Sequence, residues 1–309
     1  MRSIRIATRA SKLALAQAAT VKARLETVSK EVRCELVHVS TRGDRDKSDF
    51  LYKSESVGLF TSEVENSLLD GRADVAVHSL KDLPTSGSAE LVVAAVMKRA
   101  AAADALVAWA EVDSIEQLPA GATVGTSSLR RIAQLKHLRA DLKCVPLRGN
   151  VETRVRKVIQ RQVDAAVVAC AGLERLGLGG HISAVLDAEQ FLPAPAQGAL
   201  AVQVRAADSE LVELVGELND EPTRIATEAE RAVLAAMHGG CSIPLGVYAR
   251  VIGDRFRVDA MIAELDGAKL IRRSRESSVA DALGCAAAVA ADLLEAGGEE
   301  ILKRIRDHR

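Results

Sequence analysis

Residues 122–170, ATVGTSSLRRIAQLKHLRADLKCVPLRGNVETRVRKVIQRQVDAAVVAC, alternate between two hydrophobic patterns. The short apolar runs ATVGTS, LKCVPL and DAAVVAC suit strands, and between them SLRRIAQLKHL and NVETRVRKVIQ carry apolar residues at helical spacing. Such alternation implies a mostly parallel sheet with helices on its faces. Upstream, SIRIAT (residues 3–8) is a strand, Ala10 to Val28 is a helix, and VRCELVHVS is a second strand. The polar stretch TRGDRDKSDFLYKSESVG is a long charged loop, followed by a helix from about Leu59 to Leu69, the strand ADVAVH and the turn SLKDLPTSGS. The fold class is therefore α/β, with two units of similar construction.

Further along, FLPAPAQGALAVQV reads as a Pro-rich crossing and then a strand that returns to the first unit. From about Asp220 the pattern changes. A long amphipathic helix, EPTRIATEAERAVLAAM, precedes two or three meandering strands (GVYARVIG, RFRVDAMIAEL, KLIRRSRES) and a terminal helical stretch, which is an α+β arrangement. The 309 residues are too many for one ordinary core. The expected division is a discontinuous α/β domain of 1–99 with 199–217, a second α/β domain of 104–193, and a smaller α+β domain of 220–309.

Composition narrows the function. A formal net charge of −1 does not indicate a globally basic surface for nucleic acid, and 2% aromatic content leaves few rings for bases to stack on. No run approaches the roughly 18 apolar residues of a membrane span, and MRSIRIATRA lacks the apolar segment of a secretory signal, so a cytoplasmic location is expected. Cys34, Cys144, Cys170, Cys241 and Cys285 are scattered and odd in number, with no C-x-x-C pair, and His78 has no histidine at ligand spacing. Neither a disulfide framework nor a metal site is expected. Cys34, Cys144 and Cys170 sit in apolar runs as small core residues. Cys241 differs, because it follows Gly239 and Gly240 in a stretch without periodicity, where a thiol is accessible. Taken alone, it still reads as structural.

The arginines are the strongest local signal. Arg130 and Arg131 follow GTSSL where a strand gives way to a helix that Ser127 and Ser128 are placed to cap. Arg148 stands at the next strand-to-helix switch with Arg154 and Arg156 behind it, and Arg175 follows the third strand. Ligands of open parallel sheets bind at the carboxyl ends of the strands, where arginines grip carboxylate or phosphate in pairs of bonds. The plain alternative is that these arginines only solvate helix starts. The helix dipole opposes cations there, and like charges ~4 Å apart repel by roughly 4 kcal/mol at an effective dielectric of 20, so a polyanion site is favoured. Carboxylate and phosphate remain indistinguishable, although no nucleotide-type glycine loop is present.

In the first unit, ATRASKLALAQ places Arg9 and Ser11 at a strand-to-helix turn, and HSLKDLPT places Ser79, Lys81 and Asp82 after another strand. A carboxylate there can stabilise a cation forming on a substrate or exchange a proton with it. By residues alone the turn reads first as a surface Lys-Asp turn stopped by Pro84.

Together, IATRASKLALAQ, TRGD, GLF, DGRADVAVHSLKDLPT, GTSSLRR, LRGNVETR, AGLERLGL, LPAPAQGAL and HGGCSIPLG resemble the hydroxymethylbilane synthase (porphobilinogen deaminase) family, in order, from residue 4 to about residue 248. The resemblance implies a transferase of tetrapyrrole biosynthesis whose first two domains are similar to type II periplasmic binding proteins. It implies a dipyrromethane cofactor joined by a thioether to Cys241. Four porphobilinogen units are then added with loss of ammonia, and hydroxymethylbilane is released by hydrolysis. It makes Asp82 the catalytic residue. It gives cofactor and substrate binding to Arg9, Ser11, Ser79, Lys81, Thr126, Ser127, Ser128, Arg130, Arg131, Arg148, Gly149, Arg154, Arg175 and Gln197. No metal, nucleic acid or membrane is implied, and a monomer is expected. The chain departs from the family pattern at Ser56-Val57-Gly58, where Gly-Lys-Gly is usual, at Ser62, where a lysine often stands, and in the alanine run after Arg99. A non-enzymatic polycarboxylate-binding protein of the periplasmic type is the alternative. It gives no reason for the Gly-Gly-Cys turn. A nucleic-acid binder resting on RGNVETRVRKVIQR is a further rival, opposed by the charge and the few aromatics.

Overall fold

The computed structural model describes residues 2–40, 61–237 and 243–307. In chain order these form β1 (Arg2–Arg9), α1 (Lys12–Val28), β2 (Val32–Val39), α2 (Ser62–Leu69), β3 (Val75–Ser79), β4 (Leu91–Val96), β5 (Asp104–Ala108), β6 (Thr123–Gly125), α3 (Leu129–Leu138), β7 (Lys143–Val145), α4 (Val151–Ile159), β8 (Ala165–Ala169), α5 (Cys170–Arg175) and β9 (Ala184–Val185). Then follow β10 (Leu200–Arg205), α6 (Ser209–Gly216), α7 (Glu221–Ala236), β11 (Leu245–Ile252), β12 (Arg255–Ala263), β13 (Leu270–Ser278), α8 (Ala282–Leu293) and α9 (Glu299–Asp307). The chain divides into two compact units, residues 1–100 with 199–224, and residues 101–198 with 225–309.

The first unit holds a five-stranded sheet in the order β2-β1-β3-β10-β4. Its central strands are buried on both faces, as the near-continuous apolar run of β3 requires. Ile4, Ile6, Val75 and Val202 pack against Val21 and Leu25 of α1 and Leu211 of α6. Each such side chain contributes on the order of 1.5–3 kcal/mol by leaving water. The returning strand expected from ALAVQV is β10, and it is seated between β3 and β4.

The second unit repeats the plan as β7-β6-β8-β5-β9. Both sheets are mixed rather than mostly parallel, because β10 runs antiparallel to β3 and β4, and β5 runs antiparallel to β8 and β9. These are the strands by which the chain returns to one unit and enters the other. The sequence reading assigned no strand to β4 or β5, whose runs LVVAAV and DALVA are short and lack alternation. At the end of β5, the single tryptophan, Trp109, is 44% exposed. Its Nε1 donates to Asp164 Oδ1 at 3.1 Å, and the Arg161 guanidinium stacks 4.6 Å from the ring centre.

The second unit also contains the antiparallel sheet β11-β12-β13. One of its faces buries Val247, Phe256, Val258 and Ala260 against Ala286, Val289 and Leu293 of α8. On the opposite face Met261 packs with Ala133 of α3 and Leu192. The β12–β13 turn meets the end of α3, where the Gly267 carbonyl lies 2.9 Å from His137 Nδ1. Gly267 has φ +74°, and a Cβ there would stand 2.3 Å from the His137 backbone nitrogen, so only glycine fits.

Cys34, Cys170 and Cys285 are buried, whereas Cys144 is only half-buried because β7 is the outer strand of its sheet. Cys241, the 43–57 loop and the start expected at Leu59 for α2 lie outside the described residues.

Candidate functional site

In the first unit, β1 and β3 are parallel neighbours, with Ile6 opposite Val75 and Ala7 opposite Ala76. Their carboxyl ends, Arg9 and Ser79, therefore open on one edge of the sheet. Ser11 caps α1, its Oγ accepting from the Ala14 N–H at 3.3 Å. Gln17 Nε2 reaches from α1 to donate to Ser79 Oγ at 2.9 Å, which ties the two strand ends together. Beyond Ser79 the chain makes one 3₁₀ turn, Leu80–Asp82, anchored by buried Leu80 and Leu83 and by Leu80 N–H donating to Ala199 O at 3.0 Å. Lys81 is half-buried and Asp82 is exposed at the tip. His78 faces inward, 5% exposed, with Nε2 3.0 Å from Gln203 Oε1. Burial pushes its pKa down to about 4. It is a core residue.

In the second unit, β7, β6 and β8 are adjacent and parallel, so the residues following each of them share one carboxyl edge. This edge gathers the arginines in two different ways. Arg148 precedes Gly149, whose φ of +108° turns the chain into α4 and whose missing Cβ leaves room for Thr153. Arg154 Nε donates to the Gly149 carbonyl at 2.9 Å, while Asn150 caps α4. Arg175, at the end of α5, donates from Nη2 to Gly198 O at 2.7 Å, and partial burial lowers its pKa.

Arg130 and Arg131 go inward instead. They are 4% and 5% exposed and converge on Asp104 at the start of β5, which is fully buried. Arg130 Nη2 donates to Asp104 Oδ2 at 2.8 Å and Arg131 Nη2 to Asp104 Oδ1 at 2.7 Å. Gln197 Nε2 donates to the same Oδ1 at 2.8 Å. The remaining Nη1 groups donate to backbone, Arg130 to Leu192 O and Arg131 to Val167 O. Burial alone would raise the Asp104 pKa, but the two guanidiniums outweigh it and hold the carboxyl well below the usual range. Two cations against one carboxylate leave a buried charge of one positive unit, and among the described residues the Nε atoms of both arginines have no acceptor. A buried donor without a partner is costly, as is an unbalanced charge, so the cluster is short of anionic acceptors.

The serines of this edge are not helix caps. Ser128 occupies the cap position of α3 without a side-chain bond, and its N–H donates to Thr126 Oγ1 at 3.2 Å. Ser127 Oγ bonds across to Leu147, donating to its carbonyl at 3.3 Å and accepting from its N–H at 3.2 Å. Asp104 is a residue that sequence reasoning missed, and its signal was a lone acid opening the apolar run DALVA.

The family model for the porphobilinogen deaminase, dipyromethane cofactor binding domain matches residues 4–213, and that for the porphobilinogen deaminase C-terminal domain matches residues 225–295. The chain belongs to the porphobilinogen deaminase family. The porphobilinogen deaminase of Maridesulfovibrio salexigens is 43% identical over 307 residues, covering 99% of both chains. That of Pelotomaculum thermopropionicum is 44% identical over 305 residues, covering 99% of this chain and 97% of its own. Among solved structures, the methionine binding protein MetQ matches 70% of this chain and 89% of its own, at 15% identity and a TM-score of 0.45. Membership makes the chain an enzyme, a porphobilinogen deaminase-type transferase with a cofactor-binding domain, and not a binding protein alone.

The residues present fit a dipyrromethane. Its acetate and propionate groups are anions, and the second unit gathers the half-buried guanidiniums of Arg148, Arg154 and Arg175 at one sheet edge, with the excess positive charge of Arg130 and Arg131 buried in the same unit. Among the described residues there is no cluster of three or more metal-ligating side chains, and no helix is long and apolar enough to cross a membrane.

Proposed function

We propose that this chain adds four porphobilinogen units in turn to a dipyrromethane joined by a thioether to Cys241, and releases hydroxymethylbilane by hydrolysis. The observation that carries the reading is the excess positive charge of Arg130 and Arg131 around the single carboxylate of Asp104, buried in a unit whose sheet edge also presents Arg148, Arg154 and Arg175. Such a set suits a ligand with many carboxylates, which a growing pyrrole chain is. When bound, the dipyrromethane supplies the pyrrole carbon to which substrate is joined.

The roles of this chain's residues follow from their chemistry. Arg130 and Arg131 hold carboxylates by the positive charge they bring, and Thr126, Ser127, Ser128 and Gly149 present backbone and hydroxyl groups beside them. Arg148, Arg154 and Arg175 take carboxylates further along the edge, and Gln197 keeps Asp104 in place. Arg9, Ser11, Ser79 and Lys81 orient the incoming porphobilinogen by its own carboxylates. Asp82, exposed on its 3₁₀ turn, sets a negative charge against the cation left on the substrate methylene when ammonia departs. The thiol of Cys241 is the nucleophile for attachment. The same reading has three domains (1–99 with 199–217, 104–193, and 220–309), a monomer, and a cytoplasmic location.

The intact mass of protein from a porphyrin-producing host tests the proposal. A covalent excess of one dipyrrole on the Cys241 peptide is expected, and Cys241→Ser removes it along with release of hydroxymethylbilane. An active Cys241→Ser protein of normal loading sinks the assignment.

A further inference from the structure

Residues 192–198, LPAPAQG, bond two of the arginines directly and reach a third, Arg131, through its counter-ion Asp104. Leu192 O accepts from Arg130 Nη1 at 2.7 Å, and Gly198 O accepts from Arg175 Nη2 at 2.7 Å. Between them Gln197 Nε2 donates to Asp104, the counter-ion of Arg130 and Arg131, and to Ala102 O at 2.7 Å. In the middle of this segment Ala196 has φ +61°, a left-handed backbone that costs a non-glycine residue on the order of 1 kcal/mol or more.

What holds it there is a carboxylate. Glu230 Oε2 accepts from the Ala196 N–H at 2.5 Å, and Oε1 accepts from the Ala249 N–H of β11 at 2.7 Å. Glu230 is 0% exposed and shares the buried stripe of α7 with Ala226, Ala229 and Val233. Packing alone would place an apolar residue on that stripe, because burying a carboxylate is expensive. Moreover α7 ends at Ala236, and Cys241 follows five residues later.

We propose that Glu230 is a positioning residue, which fixes Ala196 in its left-handed backbone and thereby sets Gln197 on Asp104 and the Gly198 carbonyl on Arg175. It joins the helix leading to Cys241 to the arginines, and it rests on the reading of those arginines as carboxylate holders.

Glu230→Gln offers one acceptor oxygen and one NH₂ group to the N–H donors of Ala196 and Ala249, so at least one of these two contacts is lost. Apo protein is exposed to porphobilinogen, covalent loading is followed by intact mass, and KM and kcat are measured on the loaded fraction. The expected result is loading slowed and KM raised by about tenfold, the scale of one hydrogen bond to a charged group, with kcat within about threefold. Adding Ala196→Gly to Glu230→Gln restores most of the KM and loading, because glycine takes φ +61° without help. A purely structural Glu230 gives no such rescue. Unchanged loading and KM in Glu230→Gln overturn the proposal, as does an equal loss in the single and double variants when both fold. If Glu230→Gln does not fold, a folded double variant with near wild-type KM supports the proposal, and failure of both to fold overturns it in favour of stability alone. Wild-type protein that never loads would instead defeat the functional reading itself.

Discussion

The two five-stranded sheets follow the same order and differ at one decisive position. In the first, β10 pairs with β3 so that Leu200 faces Ser79, and Leu80 N–H donates to Ala199 O at 3.0 Å. In the second, β5 pairs with β8 so that Asp104 faces Ala169, and Cys170 N–H donates to Ala103 O at 3.0 Å. Asp104 therefore stands where the first sheet has Leu200, and both are buried. With leucine there, the neighbouring edge keeps its charges outside, on Lys81 and Asp82. With aspartate there, two arginines sink into the unit and bring a positive charge with them. One scaffold thus yields an outward acidic tip and an inward cationic cluster, and the difference lies in a strand that enters each sheet antiparallel.

The comparison breaks most sharply at its two acids. Asp104→Asn leaves Arg130 and Arg131 buried without a counter-ion, which should lower unfolding free energy in urea by about 3–5 kcal/mol. Asp82→Asn should leave stability within about 0.5 kcal/mol while activity falls by about 10²–10⁴-fold. Equal stability losses in the two variants would erase the distinction between them.

A smaller effect separates the first unit by pH. His78 is held neutral by burial, with its pKa near 4 against an ordinary 6.5. Because the folded pKa is the lower one, its contribution is complete above about pH 6.5 and lost as pH falls toward 4. The slope is about 1.4 kcal/mol per pH unit, or about 3 kcal/mol across that window. His78→Gln should flatten it. The loss below pH 4 from Asp74 should remain; burial opposes its ionisation, but the hydrogen bonds from Arg5 outweigh this and hold its pKa near 2.

The smallest test concerns the two helix starts. Ser11 caps α1 with its side chain and Ser128 makes no such bond to α3. Ser11→Ala should cost about 1 kcal/mol and Ser128→Ala a few tenths, read from the same urea curves.

Periodicity made β1, α1, α3 and α4 legible, because each has an apolar stripe or run long enough to declare its period. The strand from ALAVQV was legible as a return to the first unit, since a Pro-rich crossing preceded it. β4 and β5 were not, being short buried runs with no alternation. The arginines were found as a group, yet the inward turn of Arg130 and Arg131 was hidden. Their counter-ion comes from 26 residues upstream on a strand of opposite direction, which no helical spacing reveals. Glu230 was visible in principle as an acid at a core position of α7, among Ala226, Ala229 and Val233. Its partners on β11 and in the Pro-rich crossing were not.

Trp109 makes the second unit optically distinct. It is the protein's single indole, half in water under a guanidinium, so all tryptophan emission arises from residues of one compact unit. Melting of the first unit by itself is dark in that channel, whereas circular dichroism reports helices of both. Fluorescence and dichroism recorded on one sample therefore act as two clocks, and any gap between their midpoints measures how far the halves of this enzyme unfold separately.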